Sequence, residues 1–346
     1  MWVDFENTPH VLFLEPFVAA LRSRGLEVRM TAKPQAQTVD LARARGLDAE
    51  GVGGGNYAGI GAKVGGNLRR AGQLVRWVRS RGAAPLLLLH SSRTASLAAA
   101  ALRVPAVGLL DYEHAVQWPL ALASRVLWFP DLLRGVRLSR WTRRIARYYP
   151  GLKENLYLDE RHGGASRAEV RRTLGVAAPF LVVARPAAVS AHYAVRGSQQ
   201  WWQAALDALL ARPDVHIVVI PRDAAQGQQL AAAYAAAPRL TVVRQATDGP
   251  ALIAAADLVL GGGGTMNREA AVLGTHAWST FCGPVPAIDD CLAREGRLTW
   301  IRSAGDLARA LAEPLPPRAP RGPFPGGFSL IFADILRDLG SEGVPA

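Results

Sequence analysis

The chain has 346 residues, half of them apolar, and a formal net charge of +12 at neutral pH. This length predicts two globular domains, and the apolar runs are far too short for a membrane-spanning helix. Asp4 and Glu6 interrupt the first apolar residues, so we expect no signal peptide. Cys282 and Cys291 form neither a disulfide framework nor a C-x-x-C motif, which favours a cytoplasmic protein without a structural metal.

In the first half of the chain, short apolar runs alternate with helical patterns, as is typical of a parallel sheet with helices on its faces. The predicted strands are Trp2–Phe5, Leu26–Thr31, Asp48–Val52, Pro85–His90, Ala106–Leu110 and Val126–Phe129. The predicted helices are Val11–Arg24, Ala36–Arg45, Leu68–Arg81 and Ser92–Leu102. Residues 51–66 are interpreted as a glycine-rich loop, either a lid beside an acceptor or a plain surface loop.

The alternation restarts after Tyr148 to Gly164, a stretch with the prolines and glycines of a domain boundary. The predicted strands are Phe180–Ala184, Val215–Ile220, Leu240–Val243, Leu258–Leu260, Ala277–Ser279 and Leu298–Ile301. The predicted helices are Ser198–Ala211, Ala224–Ala236, Gly249–Ala255, Thr265–Leu273, Ala304–Ala312 and Phe328–Leu339. The fold class is α/β, with two doubly wound Rossmann-like domains facing across a cleft. We predict domains at 1–155 and 165–315, and a segment at 316–346 whose final helix can return to the first domain.

Four glycines, Gly261 to Gly264, join a predicted strand to the helix that follows it. Glycine lets backbone N–H groups approach an anion, and a helix N-terminus favours negative charge. A nucleotide or nucleotide-sugar is therefore the first ligand to consider, with its phosphates at Gly262, Gly263, Gly264 and Thr265 and its ribose at Glu269. The run matches neither the dinucleotide fingerprint nor the P-loop, and the alternative is a tight turn that requires a positive φ.

Polar side chains follow other predicted strands, where open parallel sheets bind their ligands. His10, after the first strand, is a candidate general base or else a capping or surface histidine. Asp111 and Glu113 follow a buried strand and are candidate acid/base groups, unless they only stabilise a helix N-terminus.

Two loops of the second domain also carry charged residues. Arg185, after the strand Phe180–Ala184, is a candidate ligand for a pyrophosphate. Asp289 and Asp290, after the last strand of the glycine unit, either contact a sugar or cap a helix.

The excess positive charge lies in the first half of the chain. Residues 1–150 carry 21 Lys and Arg against 10 Asp and Glu, whereas residues 151–346 carry 19 against 18. The asymmetry indicates an anionic partner, such as a membrane surface, a phosphorylated acceptor or nucleic acid, or else only a solvated face. No array of arginines and interleaved aromatics is present, so we expect peripheral contact with an anionic membrane rather than specific nucleic-acid binding.

Three segments resemble a known family: WVDFENTPHVLFLEPFVAALRSRGLEVRMTAK, DYEHA and GGGGTMNREAAVLGTHAW. The family is catalogued as domain of unknown function 354, and its members look like two-domain GT-B proteins. It is distantly similar to UDP-N-acetylglucosamine 2-epimerase and to the UDP-sugar glycosyltransferase that makes lipid II. The resemblance implies that Gly263, Gly264 and Thr265 replace the epimerases' phosphate-binding turn and that Glu269 replaces their ribose-binding glutamate.

The resemblance also implies catalytic residues. Glu113 stands where the epimerases carry a catalytic glutamate, and His10 stands where many GT-B transferases carry a base. The His-Arg-Arg-Glu-Asn run of the epimerases is replaced by Arg185-Pro186, which argues against epimerisation. The leading hypothesis is therefore a glycosyltransferase that uses a UDP-type nucleotide-sugar as substrate, needs no cofactor or metal, and has an anionic or lipid-linked acceptor. A nucleotide-sugar epimerase and a non-catalytic membrane- or polyanion-binding protein are the alternatives.

Overall fold

A computed structural model describes residues 1–35, 37–54, 60–82, 84–158, 167–187, 197–243, 248–314 and 327–339. The chain forms two compact units. The first comprises Met1–Tyr157 and the C-terminal segment from Phe324, and the second comprises Leu158–Pro323. Each unit is built on a parallel sheet of its own.

The sheet of the first unit contains seven strands in the described part of the chain. They are β1 (Trp2–Phe5), β2 (Arg29–Ala32), β3 (Ala49–Gly51), β4 (Leu87–His90), β5 (Ala106–Leu109), β6 (Ser124–Pro130) and β7 (Ala146–Tyr149). The strand order is β3-β2-β1-β4-β5-β6-β7, and each described neighbour pair is parallel. Strands β1, β4 and β5 are buried along their whole length, because helices cover both faces of the sheet.

Six helices connect these strands: α1 (Thr8–Ser23), α2 (Thr38–Ala44), α3 (Ile60–Ser80), α4 (Arg93–Leu102), α5 (Trp118–Ala123) and α6 (Arg140–Ile145). Right-handed crossovers put α1 and α2 on one face of the sheet and α3 to α6 on the other. Successive helices pack against each other within each layer.

A buried ion pair fixes α3 to the sheet. Arg70 Nη2 lies 2.8 Å from Asp4 Oδ1, and both side chains are buried. Asp4 also accepts hydrogen bonds from Thr31 Oγ1 at 2.6 Å and from Ser92 Oγ at 2.6 Å. Both oxygens of Asp4 are therefore engaged, and this carboxylate links β1 to β2, to α3 and to the residue that precedes α4.

The second unit repeats the arrangement. Its strands are β8 (Phe180–Arg185), β9 (Val215–Val219), β10 (Leu240–Val242), β11 (Leu258–Gly261), β12 (His276–Ser279) and β13 (Leu298–Trp300), in the order β10-β9-β8-β11-β12-β13. Its helices are α7 (Arg167–Thr173), α8 (Ser198–Leu210), α9 (Ala224–Ala233), α10 (Gly249–Ala255), α11 (Gly264–Leu273), α12 (Ala287–Arg294) and α13 (Ala304–Ala312). Apolar side chains from both faces of the sheet, including Trp202, Ile217 and Val259, form its core.

The last helix, α14 (Gly327–Asp338), belongs to the first unit. The rings of Phe328 and Phe17 have centroids 4.5 Å apart. Trp128 Nε1 donates a hydrogen bond to Asp334 Oδ2 at 3.2 Å, which ties the helix to β6. The terminal helix thus returns to the first unit.

The predicted class, two doubly wound α/β domains, is confirmed. The predicted loop at 51–66 is wrong in its second half, because α3 begins at Ile60 despite its glycines; residues 55–59 lie outside the described part. The stretch from Tyr148 that we interpreted as a domain boundary begins inside a strand, β7. This strand reads ARYY and has no apolar run, because two of its side chains remain partly exposed at the sheet edge and Arg147 is exposed.

Candidate functional site

Each sheet has one point at which the connections leave in opposite directions. In the first unit it lies between β1 and β4, and in the second between β8 and β11. Ligands of open α/β sheets bind at such points, beyond the carboxyl ends of the strands. His10 follows β1 and the glycine run follows β11, so the predicted residues gather at these two places.

The glycine run in the second unit ends at the N-terminus of α11, whose N-cap is Gly263. None of its four glycines has a positive φ, so the predicted alternative of a conformationally strained turn is wrong. Glycine is needed at Gly261 and Gly262 because a larger side chain would not fit. A Cβ on Gly262 would lie 2.3 Å from the backbone Cα of Ala187, and a Cβ on Gly261 would lie 2.0 Å from Asn267 Oδ1. The turn is therefore packed tightly against the loop after β8.

Backbone donors and a guanidinium border this turn. The first N–H groups of a helix lack intrahelical partners, and no side chain in the described part caps α11. A Cβ on Gly263 would lie 3.3 Å from Arg222 Nη2, while Arg222 Nε donates to the Pro186 carbonyl at 2.8 Å. The N–H of Gly262 donates to the carbonyl of Arg185 at 3.2 Å, so Arg185 adjoins the run through its backbone. Helix dipole, N–H groups and Arg222 together favour an anion of phosphate type.

Glu269 lies on α11 and is buried, and its predicted contact with a ribose stays a prediction. Its neighbour Arg268 donates through Nε to Asp289 Oδ1 at 2.7 Å, and both side chains are buried. Asp290 pairs with Arg294 at the surface. Asp289 and Asp290 thus form ion pairs, and the N-cap of α12 is Pro286, so their predicted capping role is wrong. Their predicted contact with a sugar stays a prediction.

Replacing Gly262 by alanine is expected to destabilise the second unit by about 1–3 kcal/mol, because the new methyl group overlaps backbone that cannot move aside. Gly264→Ala is the matched control. Its Cβ would meet only the Arg268 side chain at 3.5 Å, an ordinary contact, and alanine is the better helix residue. Urea unfolding of both full-length variants measures the difference. Equal stability of the two variants would contradict the packing argument.

His10, in the first turn of α1, has a buried imidazole. Its Nε2 lies 3.4 Å from Asn7 Nδ2, and its Nδ1 has no hydrogen-bond partner among the described residues. Burial, followed by the neighbouring His90 and Lys153, holds the pKa of His10 well below its ordinary value. The imidazole is therefore neutral near pH 7, which is the form that accepts a proton.

A row of buried polar side chains continues from His10. The rings of His10 and His90 have centroids 4.7 Å apart and stand edge to face. His90 Nε2 lies 3.0 Å from Asp111 Oδ1, and Lys153 Nζ lies 2.7 Å from Asp111 Oδ2. Both oxygens of Asp111 are therefore engaged, and its predicted role in proton transfer stays a prediction.

Glu113 lies in the same loop, with a buried side chain and its Oε1 3.7 Å from His114 Nε2. The loop precedes α5, which begins at Trp118 and has no acid in its first turn. The alternative that Asp111 and Glu113 stabilise a helix N-terminus is therefore wrong. Glu113 remains a candidate acid/base group in addition to His10.

Three residues of these sites were not predicted from the sequence: His90, Lys153 and Arg222. Arg222 follows the strand β9, so the rule that selected His10 and Arg185 would have found it, whereas His90 is itself the last residue of β4. Lys153 lies in a short 3-10 helix after β7 and has no local signal, because its partner Asp111 is distant in sequence. Across the described residues, no group of three His, Cys, Asp or Glu side chains is arranged to hold a metal ion.

Two doubly wound parallel sheets, the second with a glycine turn at its switch point, define an α/β protein of the GT-B-like class. The chain belongs to the family described as "Protein of unknown function (DUF354)", whose model matches residues 1–309. This confirms the family resemblance. The uncharacterized protein MJ0665 of Methanocaldococcus jannaschii is 24% identical over 305 residues, which is 86% of each chain.

Solved structures share the fold. The UDP-GlcNAc 2-epimerase of Methanocaldococcus jannaschii, in complex with UDP-GlcNAc and UDP, has a TM-score of 0.74 at 12% identity, covering 98% of this chain and 99% of that one. The spinosyn forosaminyltransferase SpnP has a TM-score of 0.57 at 18% identity, covering 100% and 96%. At these identities the similarity shows the fold alone. The fold is shared with a UDP-GlcNAc 2-epimerase and a glycosyltransferase.

Proposed function

We propose that this protein is a glycosyltransferase that passes a sugar from a UDP-linked donor to an anionic or lipid-linked acceptor. The observation that carries the proposal is the Gly261–Gly264 turn, where a helix N-terminus without a capping side chain meets Arg222. A diphosphate is the anion that this combination of donors suits, and the fold relatives bound to UDP support the choice of nucleotide.

The second unit binds the donor in this proposal. Backbone N–H groups of Gly263, Gly264 and Thr265 hold the diphosphate, and buried Glu269 accepts hydrogen bonds from the ribose hydroxyls. As the glycosidic bond to the diphosphate breaks, negative charge grows on the leaving oxygen. The helix dipole and the guanidinium groups of Arg222 and Arg185 stabilise that charge.

The first unit activates the acceptor. Neutral His10 takes the proton of the acceptor hydroxyl as its oxygen attacks the sugar, and the resulting imidazolium is favoured by the nearby Asp111 carboxylate. His90 packs on His10 and is oriented by Asp111, which Lys153 holds in turn. Glu113 is the second candidate for the proton acceptor.

A nucleotide-panel melting screen tests the donor site. We expect UDP to raise the melting temperature of the second unit more than the diphosphates of the other bases do. By mass action, a hundredfold excess of ligand over Kd adds about 2.7 kcal/mol to the free energy of unfolding. Glu269→Gln is expected to reduce the shift, whereas Glu169→Gln, an exposed glutamate of α7, keeps it. If no nucleotide changes the melting temperature, the donor site is disproved.

Product analysis separates transfer from its alternatives. Release of UDP from a UDP-sugar that requires a hydroxyl-bearing lipid or anionic acceptor supports the proposal. A UDP-sugar with an inverted stereocentre, formed without acceptor, would assign the protein to the epimerases instead. UDP binding without turnover of any tested donor and acceptor would reduce the proposal to nucleotide binding.

A further inference from the structure

Exposed apolar side chains are concentrated on one part of the first unit. The described residues include eight large apolar side chains that are exposed, and six of these lie on or just before α3, α5 and α6: Val64, Leu68, Val116, Trp118, Leu122 and Trp141. Trp118, Leu122 and Trp141 are 59%, 60% and 70% exposed. Single exposed apolar residues are ordinary, but a group of them with two tryptophans is typical of a surface that binds a protein or a membrane.

These six residues share one layer of helices. Helices α3, α4, α5 and α6 pack side by side on the same face of the sheet. Trp118 and Leu122 are four residues apart on α5, and Val64 and Leu68 are four apart on α3, so each pair lies on one side of its helix. We call the exposed side of α3, α5 and α6 the docking face.

The docking face is also purely basic. The sequences of α3, α4, α5 and α6 contain no Asp or Glu. Six arginines of α3 and α6 are exposed: Arg69, Arg76, Arg79, Arg140, Arg143 and Arg144. The guanidinium of Arg144 lies 5.6 Å from the ring centroid of Trp141, so an apolar surface and a positive charge are presented together.

We propose that the docking face binds peripherally to an anionic lipid bilayer. Tryptophan and leucine side chains enter the interface between headgroups and acyl chains, while the arginines neutralise lipid phosphates. A nucleic acid would satisfy the arginines but leave Val64, Leu68 and Leu122 without apolar contact. No helix in the described part of the chain is long and apolar enough to cross a membrane.

Vesicle sedimentation of the full-length protein, without nucleotide, tests this proposal. The vesicles are phosphatidylcholine alone or phosphatidylcholine with a quarter of phosphatidylglycerol. We expect binding only to the anionic vesicles, weakened as salt is raised. The double variant Trp118→Ser/Leu122→Ser is expected to lower the partition coefficient by a factor on the order of ten. The double variant Arg140→Glu/Arg144→Glu is expected to lower it by a similar or larger factor.

Matched controls lie outside the docking face. Leu330→Ser removes an exposed leucine of α14, and Arg172→Glu reverses an exposed arginine of α7; both are expected to bind like the wild type. Circular dichroism and melting curves verify that every variant is folded. Equal loss of binding in the control variants would overturn the docking face, as would unchanged binding in both double variants. Binding to RNA or duplex DNA without binding to anionic vesicles would replace the bilayer by a polyanion and overturn the proposal.

Discussion

Replacing His10 by glutamine is expected to lower kcat for sugar transfer by about a hundredfold to ten-thousandfold, while the affinity for UDP stays unchanged. Glutamine approximates the size of the imidazole and can hydrogen-bond Asn7, but it cannot accept the acceptor's proton. Because His10 belongs to the first unit and the glycine turn to the second, the loss falls on the chemical step. Steady-state kinetics measure kcat, with the donor and acceptor that product analysis identifies. The rise in melting temperature with UDP measures the affinity for UDP.

His216→Gln is the matched control, because His216 is also a buried histidine but lies on β9 with Thr241 as its partner. It is expected to keep full activity. A kcat of His10→Gln close to that of the wild type would exclude His10 as the base and leave Glu113 as the candidate.

The same residue predicts a pH dependence of stability. The pKa of His10 in the folded protein lies well below the ordinary value of 6.5 that it regains on unfolding. Below pH 6.5 the unfolded chain therefore binds more protons than the folded one, and stability falls with decreasing pH by up to about 1.4 kcal/mol per pH unit. The difference in unfolding free energy between the wild type and His10→Gln should therefore become smaller as the pH falls below 6.5. A difference that is constant from pH 7 to pH 5 would contradict the depressed pKa.

Replacing Lys153 by methionine is expected to destabilise the first unit by about 3–5 kcal/mol. Lys153 is buried, with its Nζ 2.7 Å from Asp111 Oδ2 and 3.6 Å from Glu154 Oε1. Methionine preserves much of the packing of the side chain but leaves two carboxylates in the interior without their cation. Calorimetry of the full-length protein should show the transition of the first unit lowered by about 10 °C.

Two further variants show that the cost comes from uncompensated charge. Arg294→Met breaks the exposed pair with Asp290 and is expected to leave the melting temperature within error of the wild type. Asp111→Asn combined with Lys153→Met removes one carboxylate and is expected to recover part of the stability that Lys153→Met loses. A double variant no more stable than Lys153→Met would show that packing, not charge, accounts for the loss.

The elements that the sequence predicted well are those with a strong local pattern. Trp2–Phe5 and Ala304–Ala312 have the predicted bounds, because a buried strand and an amphipathic helix are encoded by neighbouring residues. The edge strand β7 was missed because its side chains are partly exposed and carry no apolar run. Helix α3 was predicted to start too late, because the glycines in its first turns have a low helix propensity.

The sequence by itself determined the class of the fold, the strand that each candidate residue ends or follows, and the charge of the first half. These follow from local periodicity and composition, which need no knowledge of distant contacts. The tertiary structure alone decided that Gly262 is required for space, that Asp289 is buried against Arg268, and that Arg222 borders the glycine turn. It also joined His10, His90, Asp111 and Lys153 into one buried row. Those contacts depend on which strands become neighbours, and strand order is a property of the folded chain rather than of any local segment.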